Sequence, residues 1–284
     1  MISGHEGRVL SMKYVSKDIQ IDATHIHFIE CGKGKPVILI HGLTNNWEGH
    51  IPLATFLGKT HKLYILDMPG YGDSGRLPYY SVETMSFYLQ KFVLAIGVHP
   101  VAVVGLSMGA YIAADFGKTY RHLVTKSVIM GPPLNDKGRK AEVLKFIMRS
   151  VDVIPAGRSM MKKVVETKLH AYVTAKYLNM YRFNKRRIDK YGTTGRKKMA
   201  KDVYIEMCKS AGDYDLDATL IDAQVPTLLL FGKEDRISSP VHAQTHTLPH
   251  NGYLTMAVVP EAGHVVSFEK PKEAACAINS FLAE

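Results

Sequence analysis

The apolar run Val101-Ala102-Val103-Val104 is followed without a spacer by Gly105-Leu106-Ser107-Met108-Gly109, and a helical pattern continues from there to Tyr120. A strand that turns into a helix within five residues has little freedom. The two backbones come so close that glycine is needed two positions either side of the central residue, which is itself held in a strained conformation. Ser107 is that central residue, so its hydroxyl is expected at a sheet edge, above a helix N-terminus. A serine hydroxyl is a weak nucleophile until an imidazole takes its proton. The chain must therefore bring a base, and an acid to orient it, to the same edge.

The rest of the sequence supplies strands that can do so. Segments 12–21 and 25–29 alternate in polarity and read as an antiparallel opening pair. Short apolar runs follow at 37–40, 63–66, 101–104, 127–130, 227–231 and 254–259, the pattern of strands buried on both faces of a parallel sheet. Residues 81–96 open on Ser81, a candidate N-cap, and carry Met85, Leu89, Phe92 and Ile96 at helical spacing. A last helix is expected from Pro271, where a proline N-terminus costs nothing. The pattern predicts an α/β chain with a mostly parallel, eight-stranded sheet covered by helices on both faces. After Gly131-Pro132-Pro133 the alternation stops until the strand beyond Pro226, a gap of about ninety residues and too long for a bare loop. We expect a core of residues 1–130 and 223–284 with residues 131–222 inserted as a helical cap, or lid, broken near Pro155, Val173 and 192–195.

Three further residues complete the expected chemistry. His264, in Glu261-Ala262-Gly263-His264, follows the strand at 254–259, and Asp235, in Gly232-Lys233-Glu234-Asp235, follows the strand at 227–231. Both therefore project from the same edge as Ser107, in the chain order serine, acid, histidine. Asp235 would fix the tautomer of His264 and stabilise its imidazolium; Glu234 is the adjacent competitor. His41-Gly42-Leu43-Thr44 follows the strand at 37–40. The N–H groups of Leu43 and Met108 are the natural pair of oxyanion donors, each worth roughly 3 kcal/mol to a tetrahedral intermediate.

With His41-Gly42, Asp67-Met68-Pro69-Gly70-Tyr71-Gly72-Asp73-Ser74, the Ser107 turn, Gly232-x-x-Asp235 and Gly263-His264 in this order, the chain from Met12 onward resembles an α/β-hydrolase fold enzyme with a helical cap. The resemblance implies a Ser-His-Asp serine hydrolase acting on carboxylic esters, with a hydrophobic acyl substrate and no cofactor. Epoxide hydrolases and haloalkane dehalogenases carry aspartate at the nucleophile position, so Ser107 argues against both. Proline iminopeptidases have a richer Gly-Pro loop than His41-Gly42-Leu43-Thr44. Monoacylglycerol lipases and carbon–carbon bond hydrolases share the triad and stay open, as does a ligand receptor built on the same fold with little turnover.

Other features have blander readings. Residues 67–74 and His41 read as loop braces. Trp47 lies close to the oxyanion loop in sequence and is expected either to line the substrate pocket or to pack. Met148 and Met161, with their neighbours, either roof an apolar acyl pocket or form the lid's own core. His242, His246 and His250 recur every four residues, but Pro249 interrupts a helix before the third, and no metal is expected. The three cysteines, Cys31, Cys208 and Cys276, read as buried or partly buried free thiols in a cytoplasmic protein without a secretory leader. Net charge is +10, yet residues 137–201 alone hold nineteen Lys and Arg against four acids. That excess is read as a solvated face, a contact with an anionic membrane surface or a site for an anionic substrate. No nucleic-acid recognition motif accompanies it.

Overall fold

The computed structural model describes residues 2–9, 12–134, 150–151 and 153–284. Nine strands form one sheet: β1 Ile2–Val9, β2 Met12–Ile21, β3 Thr24–Gly32, β4 Lys35–Ile40, β5 His61–Leu66, β6 Val101–Leu106, β7 Val124–Met130, β8 Thr227–Gly232 and β9 Leu254–Val259. Their order is β1-β2-β3-β5-β4-β6-β7-β8-β9. The first three strands pair antiparallel, β3 also runs antiparallel to β5, and every neighbour from β5 to β9 is parallel. The eight expected strands are all present. β1 is additional, an edge ribbon pairing Ile2 with Ile19 and Val9 with Met12. Its sequence, ISGHEGRV, has two glycines and no sustained alternation, so nothing in its pattern marks it as a strand.

The period-two geometry of the strands divides the core into two layers. Ile38, Ile40 and Val103 face one side, under the helices Val82–Ala95 and Met108–Thr119. Val37, Leu39 and Val104 face the other, under Ile51–Leu57 and Pro271–Ala283. All six are fully buried, each contributing about 1.5–3 kcal/mol of apolar burial. Ser81 caps its helix as expected, its Oγ accepting from the Thr84 N–H at 3.1 Å.

Between β7 and β8 the main helices of the described chain are Gly157–Glu166, Lys168–Thr174, Val203–Asp213 and Leu216–Asp222, with shorter turns between them. The segment is fastened to the sheet domain's loops by Ala200 N–H on Gly70 O at 2.7 Å. Tyr80 N–H donates to Glu206 Oε2 and Val82 N–H to Ser210 Oγ, both at 2.9 Å. Met180, Met199 and Met207 are buried, whereas Met160 is exposed. Of the cysteines, Cys31 is buried, Cys208 half-buried and Cys276 exposed, the last correcting the expectation of cover. Among the described residues no helix is long and apolar enough to cross a membrane.

Candidate active site

Five neighbouring parallel strands, β4, β6, β7, β8 and β9, end on one rim, and each contributes to the site there. At the end of β6 the chain reverses through Ser107, at φ +55° and ψ −109°, and enters the helix at Met108. A Cβ on residue 105 would run into the Gly109 carbonyl, and one on residue 109 into the carbonyls of Ile40 and His41. Glycine at both positions is what lets β4, β6 and the helix close on the serine. The positive φ of a non-glycine residue is strain that this packing holds in place.

His264 follows β9 and is only 3% exposed. Its Nδ1–H donates to Asp235 Oδ2 at 3.0 Å, which leaves Nε2 to accept from Ser107 Oγ at 2.8 Å. Asp235 is itself fixed, because its Oδ1 accepts from the N–H groups of Ile237 at 2.7 Å and Ser238 at 2.9 Å. Glu234, the competitor, turns away and accepts from the Ala262 N–H at 3.0 Å, bracing the histidine loop. The loop carrying Leu43 borders the serine: a Cβ on Gly42 would sit 3.6 Å from Ser107 Cβ. Met108 opens the helix, where first-turn N–H groups have no intrahelical acceptor and the helix dipole favours negative charge.

His41 braces this loop as expected. Its Nδ1–H donates to Gly42 O at 2.9 Å, its Nε2 accepts from Met68 N–H at 3.2 Å, and its ring stacks edge-on against Tyr71. Burial lowers its pKa, in keeping with a neutral ring.

Two residues at the rim were not anticipated. Gly131, at φ +54°, leaves room for the His264 ring, since a Cβ there would stand 3.0 Å from Nδ1. Glu269 accepts from Gly263 N–H at 2.7 Å through Oε2, and from Tyr181 N–H at 2.9 Å and Arg182 N–H at 3.1 Å through Oε1. It thus ties the inserted segment to the loop that holds His264.

Trp47 and Met161, two of the expected pocket residues, lie within the described chain. Trp47 packs against Tyr14, with ring centroids 5.4 Å apart, and lines a cavity of about 430 Å³ whose walls include neither Ser107 nor His264. Met161 is partly buried and packs both on Val151 and Ile205, beside Tyr204 and Cys208, and on the larger core layer that includes Met108. Met148 lies outside the described residues. His242 and His246 stack at 4.6 Å, with His242 Nε2 3.3 Å from Asp217 Oδ2, in a helix broken into short turns.

A second serine–histidine–aspartate arrangement lies in the antiparallel part of the sheet. His27 Nε2 is 2.8 Å from Ser16 Oγ, and His27 Nδ1 is 2.9 Å from Asp67 Oδ2. Burial would lower the His27 pKa, but the hydrogen bond and charge of Asp67, with Asp18 and Asp73 nearby, raise it above the ordinary imidazole value. Ser16 sits inside the ladder between β1 and β3, where backbone N–H groups are engaged across the strands and none is free for an oxyanion. Asp67 is also the anchor of its own loop, accepting from Trp47 N–H and Asp73 N–H at 2.8 and 2.9 Å. His27, Asp67 and Asp73 form the group of potential metal ligands among the described residues, yet the Lys198 ammonium lies 2.7 Å from both Asp73 oxygens. The cluster is a brace between strands, loop and inserted segment.

Known proteins align with most of the chain. A 2-hydroxy-6-oxo-6-(2'-aminophenyl)hexa-2,4-dienoic acid hydrolase of Metapseudomonas resinovorans is 24% identical over 95% of this chain and 91% of its own. Monoacylglycerol lipase abhd6-B of Xenopus laevis is 23% identical over 90% of this chain and 79% of its own. The structure of a thermophilic esterase from Thermogutta terrifontis superposes with a TM-score of 0.75 at 21% identity, covering 94% of this chain and 98% of that one. The family model for the alpha/beta hydrolase fold matches residues 35–271, the span from β4 to the last helix, and the chain belongs to that family.

Proposed function

We propose that the protein is a serine hydrolase that cleaves carboxylic esters of hydrophobic acyl groups through an acyl-enzyme. The observation that carries the reading is the unbroken line Ser107 Oγ, His264 Nε2, His264 Nδ1, Asp235 Oδ2, with steps of 2.8 and 3.0 Å across the ring's two nitrogens. His264 takes the Ser107 proton as Oγ attacks the ester carbonyl. The N–H groups of Leu43 and Met108 receive the oxyanion. The imidazolium, stabilised by Asp235, then protonates the departing alcohol, leaving the acyl group on Oγ. Water enters, gives a proton to His264 and attacks the acyl-enzyme, and collapse releases the acid with the proton returned to Ser107. Residues 131–222 act as a cap over a core of 1–130 and 223–284, and the cap's contacts select the acyl chain.

A second reading, carbon–carbon bond hydrolysis with the same triad, is favoured by the dienoic acid hydrolase relative, which matches over 95% of the chain. A fluorophosphonate probe tests the nucleophile: wild type should be labelled and Ser107→Ala should not, and equal labelling would sink both readings. A p-nitrophenyl ester chain-length series run beside a vinylogous diketone separates them. Turnover of the diketone alone would replace the ester reading with the carbon–carbon one.

A further inference from the structure

Charge alone does not say what the basic inserted segment faces, but the exposed apolar side chains do. Among the described residues sixteen large apolar side chains stand exposed, and nine of them fall between positions 153 and 183. Such crowding marks an interaction surface rather than the ordinary scatter of single exposed residues. On the helix Gly157–Glu166, Met160 and Val164 are four apart and more than half exposed, while Val165 faces the core. On Lys168–Thr174, Leu169 and Val173 are again four apart, at 72% and 46% exposure, while Ala171 is buried. Residues four apart share one helix face, so each helix carries an apolar ridge turned to solvent besides the face it packs inward. Val153 and Ile154 precede these ridges, and Tyr177 and Leu178 follow them, all exposed.

Cations are interleaved with this surface. Residues 153–201 hold fourteen Lys and Arg against Glu166 and Asp189. Lys162 is paired with Glu166, but Lys163, Lys168 and Lys176 are exposed and no ion pair within the described residues engages them. Lys176 Nζ lies 5.2 Å over the Tyr177 ring, a basic and aromatic pairing suited to the headgroup region of a membrane.

We propose that the face formed by residues 153–178 docks on a bilayer containing anionic phospholipid, its apolar ridges entering the headgroup boundary while Lys163, Lys168 and Lys176 meet lipid phosphates. A second copy of the chain does not fit this face as well, since it would bring two strongly positive surfaces together. Apolar insertion and electrostatic attraction add in such binding. The docking is independent of which bond the Ser107 site cleaves.

Vesicle co-sedimentation tests it, with vesicles of phosphatidylcholine alone and of equal parts phosphatidylcholine and phosphatidylglycerol. Wild type should pellet with the mixed vesicles and stay in solution with the neutral ones. Leu169→Ser with Val173→Ser should lower partitioning by roughly tenfold. The triple change Lys163→Ser, Lys168→Ser and Lys176→Ser should lower it by about fivefold per lysine. Both sets alter only exposed side chains, and unchanged circular-dichroism melting shows that they fold. Absence of wild-type binding, equal binding to neutral vesicles, or undiminished binding by the folded serine variants would overturn the proposal. So would a dimer in sedimentation equilibrium that the Leu169→Ser, Val173→Ser variant dissolves.

Discussion

Gly131 stands against the His264 imidazole: a Cβ on residue 131 would lie 3.0 Å from Nδ1 and 3.2 Å from Cε1. The glycine is also at φ +54°, a conformation that strains any L side chain. β7 ends beside the histidine loop, and the missing Cβ is what lets the ring reach between Ser107 and Asp235. Gly131→Ala should push the ring out of line, lowering kcat by roughly ten- to hundredfold with little change in KM. It should also cost about 1 kcal/mol of stability from backbone strain. Steady-state kinetics on an ester that wild type turns over, together with a urea midpoint, check both. A fully active variant would show that the ring does not need this space.

The two serine–histidine–aspartate arrangements are predicted to behave oppositely. Ser16→Ala removes a hydrogen bond to His27 and should cost about 1 kcal/mol while leaving fluorophosphonate labelling intact. Ser107→Ala should abolish labelling and leave the melting temperature unchanged or raise it, because the strained residue loses a hydroxyl and gains nothing to bury. Labelling at Ser16, detected by peptide mass, would overturn the assignment of that cluster as a brace.

Two buried histidines give stability opposite dependences on pH. His50 is 1% exposed, and burial lowers its pKa from 6.5 to about 4. The unfolded chain therefore takes up this proton first as pH falls, and stability present above pH 6.5 is lost on the way down to about 4. The loss amounts to about 3 kcal/mol. His50→Leu should flatten that part of the acid limb in urea titrations; an unchanged limb would count against it. His27 has a raised pKa, so its contribution is complete below the unfolded value and fades as pH rises through the folded one. His27→Asn should cost more stability at about pH 5.5 than at about pH 8.5.

What the sequence made legible were features with a local cause. Ser107, Asp235 and His264 each follow an apolar strand by a few residues, so strand ends alone place them on one rim, and the structure brings all three within hydrogen-bonding distance. Gly131 and Glu269 were not legible, because their importance comes from partners 133 and 88 positions away in the chain, His264 and Tyr181. For Trp47 the sequence left pocket lining and packing both open, for the same reason. It stands four residues after Leu43 in sequence, but the turn Trp47–His50 carries it to Tyr14 on β2. The basic segment shows the limit most clearly: its charge could be counted, whereas the apolar ridges between the charges emerge only when each helix has an inward face against which to define an outward one.

Glu269 offers the sharpest test of how the inserted segment and the rim that carries His264 communicate. One of its oxygens holds the Gly263 N–H and the other holds the Tyr181 and Arg182 N–H groups. Burial raises its pKa despite these donors, so the carboxylate is kept at some cost. Glu269→Ala frees three N–H groups at once, the part-buried ones of Gly263 and Tyr181 and the exposed one of Arg182, and should destabilise by about 1–2 kcal/mol. Its distinctive consequences are local. The loop of His264 loses its anchor, so kcat should fall by roughly tenfold, and the strand of chain around Arg182 and Arg187 should become a faster site of tryptic cleavage than in wild type. Glu269→Gln keeps one accepting oxygen and can satisfy one side alone, so it should rescue either turnover or protease resistance but not both. If Glu269→Ala lost stability with neither of these changes, the carboxylate would be an ordinary buried acceptor and the segment and the rim would be uncoupled at this point.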